Sequence, residues 1–112
     1  MHASIRKYSI IPGTGKEFLQ RVQEGFVPII SQVPGFAAYY VLEVGENQVI
    51  SISLFDTQAG AEASVQQAAD WVRRHLVQFL QGPPEITAVG QVRISQLNGW
   101  YIEFMREFMR GI

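Results

Sequence analysis

The chain has 112 residues, of which 47% are hydrophobic and 17% charged, with a net charge of −1 and no cysteine. That length suits one domain with a single core, and the composition excludes a disordered chain. The balanced charge, without a run of Lys or Arg, excludes phosphate-driven nucleic-acid binding and a polybasic membrane patch, while the absence of thiols excludes disulfides, a thiolate nucleophile and a zinc–thiolate centre.

In chain order, residues 4–11, SIRKYSII, mix β-branched and aromatic residues with polar ones and predict a first strand, which the breakers in PGTG end. Over residues 16–33 the apolar positions Phe18, Leu19, Val22, Phe26, Ile29, Ile30 and Val33 recur every three or four residues and predict a helix. Pro28 has no N–H for the carbonyl of Glu24, so a kink or break is expected near Phe26, and Pro34 with Gly35 ends the helix. Residues 36–44 and 48–55 read as a hairpin around GEN, with Ile50, Ile52 and Leu54 on one face and Ser51 and Ser53 on the other. Asp56 or Thr57 is expected to cap a long alanine-rich helix over residues 59–80, which QGPP stops. Residues 85–95, EITAVGQVRIS, then form a fourth strand, with Ile86, Val92 and Ile94 on one face and Val89, Gln91 and Arg93 on the other.

This β-α-β-β-α-β order predicts an α+β, ferredoxin-like fold: a four-stranded antiparallel sheet with two helices on one face. The Ile50/Ile52/Leu54 and Ile86/Val92/Ile94 faces are expected to meet the helices. Val49, Ser51, Ser53, Phe55, Val89, Gln91 and Arg93 would then form an opposite face too apolar to leave in water, which a second subunit would cover to make a homodimer. No apolar run reaches the roughly 18 to 20 residues of a membrane span and the N-terminal one is too short for a signal peptide, so a soluble cytoplasmic protein with no membrane partner is expected.

The succession PGTGKEF, FVPIISQVPGFAAYYVL, VISISLFDTQAGAEAS, AADWV and EITAVGQVRI resembles the antibiotic biosynthesis monooxygenase-like domains of the dimeric α/β-barrel superfamily. The resemblance spans residues 4–95. It implies a ferredoxin-like protomer over residues 1–96, two sheets facing each other in a dimeric barrel, and a pocket between each sheet and its helices. Some relatives oxygenate polycyclic aromatic substrates without metal or flavin, and others degrade haem or have no known activity. The haem-degrading branch uses an Asn on the first strand, where this chain has SIRKYSI, and a wider Trp-to-His spacing than Trp71 and His75 offer, so haem chemistry is not carried over. The expectation is a monooxygenase without cofactor or metal acting on an aromatic or polyketide-like molecule; the alternative is a noncatalytic ligand-binding or assembly module.

Trp71 and His75 lie four positions apart, so they stack along one side of the second helix. Their packing reading is a core edge or dimer contact, and their functional reading is a pocket floor with an imidazole base kept neutral by Arg73 and Arg74. Tyr39 and Tyr40 must face opposite sides of their strand, and His2 is expected to lie in a frayed terminus. Arg93, placed inward beside Gln91, needs a partner such as Glu43, or else holds a substrate oxygen; Tyr39, Ser51, Ser53, Gln91 and Arg93 are the candidate substrate contacts. GTGKEF lacks the spacing of a phosphate loop. Residues 97–112 predict an amphipathic helical extension that docks on the partner or at the pocket mouth.

Overall fold

Side chains alternate across a strand, so the β-branched run at residues 48–55 presents two distinct surfaces to whatever packs on it. In the computed structural model, which describes residues 1–97, this run is β3 (Gln48–Phe55). It joins β1 (His2–Ser9), β2 (Phe36–Val44) and β4 (Glu85–Gln91) in an antiparallel sheet of order β2-β3-β1-β4. Gly45, at φ 61°, turns the β2–β3 hairpin, a conformation in which a side chain would be strained. A bulge between Ile5 and Arg6 shifts the β1–β4 register.

The helices cover one face, and it is not the face expected from hydrophobicity. Val49, Ser51, Ser53 and Phe55 are buried beneath the helices, whereas Ile50, Ile52 and Leu54 line the open side. The register extends this correction across the sheet: Tyr39 pairs with Ser53 and Arg6 with Ser51 on the covered face, while Tyr40 pairs with Ile52 on the open one. Val89 pairs with Ser4 and Gln91 with His2, which puts both on the helix side as well. The physical reason is that Arg6 donates to the hydroxyls of both Ser51 and Ser53, so the three can be buried together and apolar content alone does not choose the face.

The first helical run begins as α1 (Gly15–Arg21), passes through a π-helical stretch (Val22–Phe26) and ends as α2 (Val27–Ile30). Its buried residues Phe18, Val22, Phe26 and Ile30 are spaced by four, and in an α-helix such a series drifts by about 40° per step. The wider π turn takes up that drift. It lies where a break was expected, just before Pro28, yet the chain stays helical through it. The second run, α3 (Gln58–His75), is capped by Thr57, whose hydroxyl accepts from the Gly60 amide at 3.1 Å, and a short 3-10 turn (Val77–Phe79) follows it. Gly25 lets the two runs approach: a Cβ there would lie 2.6 Å from the Trp71 ring. The core of Phe18, Phe26, Ile30, Phe55, Val72, Leu76 and Phe79 fills the layer between helices and sheet.

β4 ends at Gln91, so Arg93 lies beyond the strand and is exposed rather than buried. His2 is a strand residue rather than a frayed end. The expected extension lies outside the described residues apart from Leu97. Among the described residues, no helix is long and apolar enough to cross a membrane.

Candidate functional site

On β1, β-alternation sends His2, Ser4, Arg6 and Tyr8 to the helix side in one line. Arg6 is 3% exposed. Its Nε donates to Ser51 Oγ at 3.5 Å, its Nη2 to Ser53 Oγ at 3.4 Å, and its Nη1 to the Ser64 carbonyl at 3.3 Å. All three acceptors are neutral and the bonds are long, whereas a buried guanidinium ordinarily sits against a carboxylate. Among the described residues, both ion pairs are elsewhere, Arg21–Glu17 and Arg73–Asp70 on exposed helix surface. Beside Arg6 on the same strand face, the buried Ser4 Oγ has no hydrogen-bond partner, and the same is true of His2 Nδ1.

Tyr39 brings the outer strand β2 into this cluster. Burial, with the Tyr8 phenol nearby, pushes its hydroxyl up to about 12, against the opposing pull of the Arg6 charge and the Ser51 hydroxyl. At neutral pH it is therefore a neutral phenol, able to donate. Its ring packs edge-on against Phe26 at 5.7 Å. Tyr39 also forms part of the wall of a groove of about 620 Å³ between the first helical run and β2, lined mainly by apolar residues such as Leu19, Val22, Val27 and Phe36, with Gln23 and Ser31 as polar members. The sheet order places Tyr39 nearest the groove, Ser51 and Ser53 behind it, and Arg6 deepest.

The structure brings together three of the residues singled out from sequence, Tyr39, Ser51 and Ser53, and separates the others from them. Trp71 is half-buried between the helices, 5.5 Å from Phe26, and His75 is exposed at the end of α3 with its ring 5.1 Å from Trp71. That pair borders a shallow notch of about 280 Å³ with Ile29, Gln67, Asp70 and Arg74. Gln91 ends the outer strand β4 and Arg93 follows it, both exposed.

The residue that the sequence reading passed over is Arg6. Its signal lies in two places: Arg6 and Lys7 are adjacent on a strand, so one must point inward, and the neighbouring strand offers serines at alternate positions. Among the described residues no group of three or more His, Asp or Glu stands close enough to hold a metal ion.

Comparison with known proteins identifies the fold. NE2512 of Nitrosomonas europaea, a protein of unknown function, is 20% identical with a TM-score of 0.70, the match covering 88% of this chain and 94% of that one. The ActVA-Orf6 monooxygenase of Streptomyces coelicolor, solved with nanaomycin D, is 15% identical with a TM-score of 0.69 over 88% and 92% of the two chains. SnoaB of Streptomyces nogalater, a cofactor-independent oxygenase, is 14% identical with a TM-score of 0.66 over 84% and 94%. No protein of curated function matches the sequence. The family model for antibiotic biosynthesis monooxygenases matches residues 1–70, which takes in β1, β2, β3, the whole Arg6 cluster and most of α3 but stops before Trp71 and His75. On that match the chain belongs to the antibiotic biosynthesis monooxygenase family.

Proposed function

We propose that this protein binds a small aromatic, polyketide-like molecule in the groove beside Tyr39 and oxygenates it without a metal or an organic cofactor. The observation that carries the reading is the groove itself: a mainly apolar groove whose inner wall is a neutral phenol backed by a buried cation. The family membership supports it, as does the cofactor-independent oxygenase among the similar structures.

The chemistry suited to this arrangement starts from a carbon acid, a methylene flanked by aromatic rings. Loss of one proton gives an anion whose charge resides on a ring oxygen. Tyr39, on the groove wall, is the donor to such an oxyanion, and the positive charge of Arg6 buried behind it favours the anion. The anion gives up an electron to dioxygen, the radical pair joins as a peroxide, and loss of the second C–H proton expels hydroxide. In balance, the methylene compound and one dioxygen become a ketone and one water, with the two protons taken from carbon ending on the water oxygen. Neither histidine lines the groove; His2, on the same strand face as Ser4 and Arg6 with its Nδ1 unpartnered, is the imidazole proposed to take the first proton. His75, stacked on Trp71 outside this layer, is the competing imidazole. Gln91 and Arg93 remain candidates for contact with a substrate only where a second chain closes over β4.

The same proposal includes a homodimer formed through the open face, where Tyr40 is 57%, Leu42 45% and Val44 40% exposed beside Ile50 and Ile52. Light scattering should give about twice the chain mass at micromolar concentration, and a monomer there would remove the barrel.

Oxygen uptake, measured without added metal or flavin across hydroxylated anthrones and quinols, tests the activity. Uptake should fall about 10²- to 10⁴-fold in His2→Ala, with His75→Ala near the parent rate. The reverse pattern moves the base to His75. Saturable quenching of tryptophan fluorescence with no uptake in the parent would make the protein a noncatalytic binding module.

A further inference from the structure

Arg6 carries an inference that rests on the groove reading and narrows it. A buried cation is costly to desolvate, and neutral acceptors at 3.3 to 3.5 Å offset that cost poorly. Among the described residues no carboxylate pairs with it, and Glu and Asp form ion pairs only on exposed helix surface. A guanidinium has five N–H groups, of which three are engaged here, so one remains on each terminal nitrogen. The Ser4 hydroxyl, buried two residues along the same strand face, is a further uncommitted donor. Together these donors lack two acceptor oxygens and one negative charge.

We infer that Arg6 is the counter-ion for an anionic ligand, and that the molecule taken by this site is an aromatic carboxylate. The ring system lies in the apolar groove, and the carboxylate reaches past Tyr39 toward Ser51, Ser53 and Arg6. The two oxygens match the two free N–H groups of the guanidinium fork, and Tyr39 and Ser4 supply neutral donors to the same charge. The position of Tyr39 between groove and guanidinium makes it the side chain that must move aside or donate on entry.

The test compares anthraquinone-2-carboxylate with its neutral carboxamide by titration calorimetry, on the parent protein, Arg6→Met and Arg6→Lys. The parent should bind the carboxylate about 10- to 100-fold more tightly than the carboxamide, the range expected of charge-assisted bonds. Arg6→Met should erase that preference and, without ligand, melt at a temperature about 4 °C or more above the parent, because an uncompensated buried charge has been removed. Arg6→Lys should keep part of the preference, having the charge without the fork. Equal binding of both ligands by the parent overturns the anionic site and leaves the aromatic groove standing. Binding of neither overturns both. An Arg6→Met protein that melts lower than the parent, or does not fold, makes Arg6 a structural cation and overturns the inference even if the groove binds aromatics.

Discussion

The two faces of β3 differ in the opposite sense to their hydrophobicity. Ile50, Ile52 and Leu54 make one face a continuous aliphatic row after Gln48 and lie on the open side; Val49, Ser51, Ser53 and Phe55 include two hydroxyls and are buried. Transfer free energy alone would choose the other arrangement. What decides it is the neighbouring strand. Arg6 shares the register of Ser51, so the three polar residues enter the core as a bonded set, and large residues at Val49 and Phe55 pack on either side of them. The open face keeps its isoleucines at the surface, a poor arrangement for a lone chain and a good one for an interface.

The sharpest way to break this comparison is to truncate one residue on each face. Phe55→Ala should cost about 3–5 kcal/mol in urea unfolding, because the side chain is fully buried against Phe36 and under Gly60, whereas Leu54→Ala should stay within about 1 kcal/mol in the isolated chain. Similar costs on both would mean that the faces are not distinguished by burial. Next in size is Ser53→Ala, which strips an acceptor from a buried cation and should cost about 1–3 kcal/mol. Made in the Arg6→Met background it should be close to neutral, and a cycle that shows no coupling would separate the serine from the arginine.

The smallest effect belongs to Tyr39. The folded protein holds its phenolic proton up to about 12, while the unfolded chain releases it at the ordinary 10.0, so its contribution is complete below pH 10 and is lost as the pH rises from 10 to 12. Tyr39→Phe should therefore flatten the alkaline loss of stability over that window by up to about 2 kcal/mol. A melting profile unchanged from the parent between pH 9 and 12 would place the hydroxyl in solvent.

Element order and type were legible because each element has its own local cause. The spacing of Phe18, Val22, Phe26 and Ile30, the Thr57 cap and the breakers at Pro34–Gly35 and Gly82–Pro83 all act within a few residues of where they stand. The face assignment was not, since it depends on which residue of β1 meets Ser51, a contact across 45 positions. The site was half legible for the same reason. Tyr39, Ser51 and Ser53 stand out as polar residues on apolar strands, but only the register shows that they surround Arg6 and leave Arg93 outside.

The π-helical stretch bears on how this chain is aligned with its relatives. A π turn holds one residue more than the α turn it replaces, so Val22–Phe26 is equivalent to a one-residue insertion within a helix. Against a relative whose first helix is α throughout, an ungapped alignment that matches Phe18 will pair Phe26 and Ile30 with residues about 100° away around the helix axis. A gap placed at exposed Gln23 or Glu24 restores the correspondence. Groove residues C-terminal to it, Val27 and Phe36 among them, acquire their true counterparts in other family members only after that shift.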